Sequence, residues 1–213
     1  MKKLCLIILF LAALILLGGF FAFKKEKPVE IKPKGGEMEV TISGKKVLLV
    51  VAPKDFRDEE YQKPRQVLEN AGVTVEVASK GATEAVGMFG AKAKIDKDIS
   101  QVNIDDYAGV LFVGGTGAAV YFNDQNALNL AKTAFEKRRV VGAICIAPSI
   151  LANAGILAGK KATAFSSEQE NLTVRGAQYT GETVTVDGKI ITGRGPEAAQ
   201  DFAGKLVEVL ERR

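Results

Sequence analysis

The sequence contains no histidine and no tryptophan among its 213 residues. Without histidine, the chain offers no imidazole base and no imidazole metal ligand. It has two cysteines, Cys5 and Cys145, too few for a disulfide framework or a four-cysteine zinc site. A dominant sign of charge is also missing: 29 Lys and Arg stand against 25 Asp and Glu. Residues 1–23 carry Lys2 and Lys3 and no acid, so the remainder holds 27 basic and 25 acidic side chains. That near balance leaves no basic footprint for nucleic acid. Nucleic acid is not expected as a partner, and neither a cofactor nor a metal is expected. With 47% hydrophobic and 25% charged residues, the chain is neither disordered nor fibrous. Its length suits one ordinary domain plus an extra segment.

That segment is Leu4 to Phe23, 20 residues without a charge. As a helix it would extend about 30 Å, the hydrocarbon thickness of a bilayer. A cleaved secretory signal would have a shorter apolar region and then a small-x-small site. This run instead ends Phe20-Phe21-Ala22-Phe23 and meets lysines, so residues 1–23 read as an uncleaved transmembrane anchor. Cys5 lies before the apolar core and reads as an ordinary membrane residue. The topology cues conflict. A two-lysine leader suits export of the downstream chain, whereas five lysines after the run (Lys24, Lys25, Lys27, Lys32, Lys34) suit retention. The side of the soluble part is therefore unassigned. Residues 24–45, with Pro28, Pro33, Gly35 and Gly36, read as a linker, in which Met38 to Ile42 could add a short strand.

From Lys46 the pattern changes. Val47 to Ala52 is a continuous apolar run, the signature of a strand buried on both faces of a parallel sheet. Asp58 to Ala71 reads as a helix ending at Gly72, with Pro64 predicting a kink or a late start. Val73 to Val77 alternates like a strand, and residues 80–100 hold short extended pieces. Gly109 to Val113 and Val140 to Ile144 are further buried strands, separated by a helix over Asp124 to Lys137 with Asn123 or Asp124 as N-cap. A helix starts near Pro148, and Ala162 to Phe165 is a short strand. Asp187-Gly188 turns a hairpin within Thr183 to Thr192. Glu197 to Leu210 is an amphipathic closing helix. Strands alternating with helices predict an α/β fold with a parallel sheet. Ligands in such sheets sit beyond the carboxyl ends of the strands.

Three strand ends carry chemistry. After the strand at 140–144 comes Ala143-Ile144-Cys145-Ile146-Ala147-Pro148, a small-x-Cys-x-small pattern that fits a sharp strand-to-helix elbow. Cys145 would then lie at a helix N-terminus, where the dipole favours a thiolate. A small buried hydrophobe is the plainer alternative. After the strand at 109–113 comes Gly114-Gly115-Thr116-Gly117. The Gly115 and Ile146 N–H groups could form an oxyanion hole. As a dinucleotide fingerprint this stretch fails, because position 120 is Val. After the first strand, Asp58, Glu59 and Glu60 open a helix, and one of them could hydrogen-bond the Cys145 thiol as a protonated carboxyl and lower its pKa.

Those strand ends resemble the ThiJ/PfpI family of the class I glutamine amidotransferase-like superfamily. The resemblance covers about residues 46–211. It is carried by Lys46 to Val50, by Asp106 to Leu111 running into Gly114-Gly115, and by Ala143 to Pro148. Leu151 to Lys161 and Val186 to Pro196 add to it. It implies a flavodoxin-like three-layer sandwich with a mainly parallel sheet and a cysteine nucleophile elbow, here preceded by one transmembrane helix. It places the nucleophile on Cys145, its glutamate partner on Glu60 (Glu59 as fallback), and the oxyanion donors on Gly115 and Ile146. Gly114 and Phe165 would line the pocket. It further implies a homo-oligomer.

PfpI-type members carry histidine directly after the cysteine. This chain has Ile146 there, and Phe165 where several members have Tyr or His. With no histidine anywhere, neither one chain nor a homo-oligomer can assemble a Cys-His-Glu peptidase. Three readings remain, in order. The first is a membrane-anchored protein whose Cys145, supported by Glu60, acts on small reactive carbonyls or is oxidised in a stress response. The second is a catalytically silent binding or scaffold domain at the bilayer. The third, disfavoured, is a PfpI-type hydrolase.

Overall fold

The structure is a computed structural model, and it describes residues 42–212. The anchor expected over 4–23, nearly all of the 24–45 linker, and all of the 38–42 strand except Ile42 lie outside the described residues. Ile42 is buried and belongs to no strand, so the folded body has begun before Lys46. Among the described residues no helix is long and apolar enough to cross a membrane.

The centre is a sheet of seven strands. In chain order its members are β1 (Lys46–Val50), β3 (Thr74–Ser79), β6 (Lys97–Asp98), β7 (Gly109–Phe112), β8 (Val140–Ile144), β11 (Val184–Asp187) and β12 (Ile190–Gly193). Their spatial order is β11-β12-β8-β7-β1-β3-β6. All neighbours are parallel except β11 and β12, which form the hairpin turned at Gly188. The remaining strands are short: β2 (Lys54–Phe56), β4 (Glu84–Gly87) and β5 (Lys92–Lys94) form one small sheet, and β9 (Lys161–Ala162) pairs with β10 (Gln178–Tyr179).

Alternation along the strands builds two cores. Leu48 and Val50 point to one face, with Ala131 of helix α2 (Gln125–Glu136) and Ile150 of α3 (Pro148–Asn153). Val47, Leu49 and Val51 point to the other, with Leu68 of α1 (Asp58–Asn70) and Phe202 and Leu206 of α5 (Ala199–Glu211). Each large apolar side chain so buried contributes roughly 1.5–3 kcal/mol. One further helix, α4 (Gln169–Val174), comes after β9. The predicted three-layer α/β architecture is thus observed.

Two local expectations are corrected, and a third is narrowed to one of its two candidates. Helix α1 starts at Asp58, not late, and runs through Pro64 to Asn70. Three acids in its first turn favour that start. The strand expected over 162–165 stops at Ala162. Beyond it the chain bonds elsewhere, Thr163 N–H to Thr192 Oγ1 at 2.8 Å and Phe165 N–H to the Cys145 carbonyl at 2.8 Å. The N-cap of α2 is Asp124, whose carboxylate accepts from Ala127 N–H.

Candidate active site

Strand β8 delivers Cys145 one residue past its end. The Cys145 N–H donates to the Gly193 carbonyl at 2.9 Å, which extends the pairing with β12 to the turn itself. The chain then reverses through Ala147 N–H to the Ile144 carbonyl at 3.1 Å. Ala143 and Ala147 are fully buried on either side. Such a turn forces Cys145 to φ +64°, a left-handed conformation that costs a non-glycine residue on the order of 1–2 kcal/mol. The strain projects the thiol forward while the residue stays 9% exposed. The elbow expected from the small-x-Cys-x-small pattern is present.

The carboxylates of the first helical turn separate by role. Asp58 accepts from Phe89 and Ala91 N–H at 2.9 and 2.7 Å and so holds the turn between β4 and β5. Glu59 pairs with Arg57 at 2.7 Å. Glu60 alone points inward. It is fully buried, and its Oε2 accepts from Gly114 N–H at 3.1 Å. Its Oε1 is buried with no hydrogen bond of ordinary geometry, and the Cys145 thiol beside it is the neighbour with which it exchanges hydrogen-bonding and charge influence. Of the two candidates, Glu60 and not Glu59 therefore meets the cysteine.

Gly114 makes this approach possible. A Cβ there would lie 2.5 Å from Glu60 Oε2 and 2.6 Å from Cys145 Cβ. Gly115 comes next, at φ +91°. Its N–H and that of Ile146 face the Cys145 sulfur and favour its charged form. The expected oxyanion donors are thus together, and in the resting site they are aimed at the sulfur. Phe165 differs from expectation. Its backbone clamps the elbow, but its side chain is 46% exposed and stands at a rim instead of lining an enclosed pocket.

The expected electrostatics need a larger correction. Helix α3 has six residues and begins three positions after the cysteine, so its dipole acts weakly at the sulfur. Burial dominates. It pushes the Cys145 thiol up to about 12, with the Glu60 charge adding to the rise and the Gly115 and Ile146 N–H groups opposing it. Burial likewise pushes Glu60 up to about 8, against the bonds from Cys145 and Gly114. The two groups titrate as a pair. At neutral pH Glu60 holds its proton, and the part of the thiol's rise that comes from carboxylate charge is then absent. Arg57 is a participant that the sequence does not single out. Its N–H donates to the Gly114 carbonyl at 3.0 Å, and its guanidinium, stacked 4.6 Å from the Phe89 ring, feels the charge of both Glu60 and Cys145. Its place between Phe56 and the acidic triplet is the one signal for it, and the neighbouring carboxylates overshadow it there.

A buried cysteine on a strained elbow, faced by two N–H groups and a protonated carboxyl at the carboxyl end of a parallel sheet, defines a class of α/β proteins built around one thiol. The chain matches the DJ-1/PfpI family over residues 45–209 and belongs to it. An uncharacterised protein of Methanocaldococcus jannaschii is 42% identical over 179 residues, covering 83% of this chain and 87% of that protein. The Bacillus subtilis protein YraA, whose name proposes a cysteine protease, is 32% identical over 167 residues, covering 78% and 99%. The crystal structure of a ThiJ/PfpI domain protein from Brachyspira murdochii superposes with a TM-score of 0.76 at 33% identity, covering 78% of this chain and 95% of that one.

Proposed function

We propose that this chain is a thiol-dependent protein whose Cys145 reacts with small electrophiles, an oxidant or a reactive carbonyl, with Glu60 holding the proton. The observation that carries the reading is the pair itself: a buried cysteine on a strained elbow beside a fully buried carboxyl whose Oε1 has no other partner. With hydrogen peroxide, the Cys145 thiol gives its proton to solvent, the thiolate lone pair attacks one oxygen, the S–O bond forms and the O–O bond breaks. Sulfur is oxidised by two electrons to a sulfenic acid. The departing hydroxide takes the Glu60 proton and leaves as water, and the Glu60 carboxylate then accepts the S–OH hydrogen bond. With an aldehyde, the same thiolate adds to the carbonyl carbon, and the oxygen takes the Glu60 proton to give a hemithioacetal. At 9% exposure Cys145 favours the smaller reagent. Hydrolysis of the kind YraA's name suggests would lack its imidazole. We further propose that residues 4–23 tether the protein to a bilayer.

A second reading, a catalytically silent scaffold, is favoured by the burial that raises the thiol. Alkylation and peroxide oxidation of the full chain, read by intact mass across pH, decide between the two. The active reading expects Cys145 modification to rise with pH as the thiolate fraction grows toward the raised value of about 12. In Glu60→Gln it expects a single thiol ionisation below about 12, because the negative neighbour is gone. A cysteine inert to peroxide and to methylglyoxal across that range establishes the scaffold.

A further inference from the structure

The opposite end of the sheet holds a cleft that the thiol chemistry does not use. It has a volume of about 500 Å³ and lies where β1 and β8 begin. Six cations line it, Lys45, Lys46, Arg138, Arg139, Lys189 and Arg212, against two carboxylates, Asp105 and Asp106. Several of these charges are already engaged. Lys45 donates to the Leu210 carbonyl at the end of α5, and Lys46 pairs with Glu76 at 2.6 Å. Asp105 is held by Lys137 at 2.6 Å and lies 3.9 Å from Arg139, and Asp106 lies 3.9 Å from Lys97. Arg138, Lys189 and Arg212 make no ion pair among the described residues. The cleft therefore keeps an uncompensated positive charge drawn from separate elements.

The end of α2 shapes this cleft. Arg139 turns its guanidinium to Asp105, Nη2 donating to the Asp105 carbonyl at 3.5 Å and lying 3.9 Å from its carboxylate. Arg138 adopts φ +55°. It comes directly after the C-cap Lys137 of α2, the position where helices prefer glycine. The left-handed turn ends the helix, with Arg138 N–H bonded to the Phe135 carbonyl and Arg139 N–H to the Ala134 carbonyl, both at 2.9 Å, and it sets the Arg138 side chain at the edge of the cationic cleft.

We infer that this cleft binds a phosphate group. A compact dianion suits converging cations in a small volume, and guanidinium forks match phosphate oxygens. The phosphate can belong to a soluble ester or to an anionic lipid headgroup. Gly44, Lys45 and Lys46 line the cleft, so the chain enters the fold at this rim.

The test uses the full chain in neutral detergent, titrated calorimetrically with inorganic pyrophosphate at constant ionic strength. Binding is expected, and weakening of about tenfold in Arg138→Gly and again in Lys189→Gln. Lys92→Gln, at an exposed ion pair with Glu84 on the β4–β5 hairpin, is expected to leave it unchanged. In parallel, acetylation of Lys189 is monitored by mass spectrometry with phosphatidylglycerol or phosphatidylcholine vesicles. Pyrophosphate binding without lipid-dependent protection identifies a soluble ester. Protection by phosphatidylglycerol alone, lost in Arg138→Gly, identifies the headgroup. Neither response, or an equal loss in Lys92→Gln, overturns the inference whatever Cys145 does.

Discussion

At the carboxyl ends of the strands, Glu60 and Cys145 sit buried against each other, and burial fixes which of them carries a proton. At the amino ends, six cations line a cleft of about 500 Å³ open enough to keep their charge. One end controls ionisation by excluding water, and the other accumulates charge by admitting it. Both ends use a non-glycine residue in left-handed backbone, Cys145 at φ +64° and Arg138 at φ +55°. In each case the strained residue carries the chemistry of its end. The difference lies in what surrounds it, two alanines and a glutamate at one end and solvated arginines at the other.

The largest expected effect is Cys145→Ser, which should abolish alkylation and peroxide oxidation of the thiol in the described domain, where Cys145 is the free cysteine; sulfoxide at the exposed Met88 is told apart by peptide mapping. Any residual Cys5 modification is separable by peptide mapping. A Cys145 peptide left unmodified in the wild-type protein under the same treatment would break the assignment of chemistry to the carboxyl end.

Next is the pH dependence of stability. Glu60 is raised from 4.5 to about 8 in the fold. Between those values the unfolded chain has lost a proton that the folded one keeps, so stability falls as pH rises through that window. Its contribution is whole below about pH 4.5 and spent above about pH 8. Glu60→Gln keeps an acceptor for Gly114 N–H and removes the titration. We expect it to flatten the profile and to gain about 3 kcal/mol relative to wild type at neutral pH. Urea unfolding at several pH values measures this, and parallel profiles for the two proteins would show that Glu60 does not hold its proton.

Gly114→Ala comes third. Its Cβ would fall 2.5 Å from Glu60 Oε2 and 2.6 Å from Cys145 Cβ and the Ile144 carbonyl, and overpacking of this kind costs typically 1–3 kcal/mol. The loss should appear in chemical denaturation and should be accompanied by altered thiol reactivity, because the displaced atoms are the reacting pair. Loss of stability with an unchanged thiol would separate the packing of this end from its chemistry.

Much of this is legible in the sequence, for identifiable reasons. Buried parallel strands announce themselves as apolar runs, so β1, β7 and β8 emerge at nearly their observed limits. The hairpin at Asp187-Gly188 and the cap at Asp124 depend on local chemistry and are equally readable. The elbow is readable because alanines flank Cys145. What fails is anything set by distant partners. Strand 162–165 is cut short by Thr192 and Cys145, which lie elsewhere in the chain. The direction of the thiol pKa is misjudged from sequence because burial is a property of the whole fold, whereas the helix dipole is a local inference. Arg57 and the amino-end cleft escape because charges from separate segments meet only after folding.

The smallest expected effect is also the one that sharpens the comparison most. Arg138→Gly removes a side chain from a left-handed residue after α2. The conformational relief should stabilise the fold by about 1 kcal/mol, a rise of roughly 2–4 °C in Tm for a domain of this size. Glycine's greater freedom in the unfolded chain offsets part of that. A positive shift with weakened pyrophosphate binding would mean that the strain is retained for the cation it presents. At Cys145 strain cannot be relieved by glycine without deleting the reactive atom, so there stability and chemistry cannot be separated. At Arg138 they can, because a cationic cleft distributes its affinity over several residues while a thiol site concentrates its reactivity in one. A fall in Tm with binding unchanged would reverse that assignment and make Arg138 a structural residue of the helix terminus.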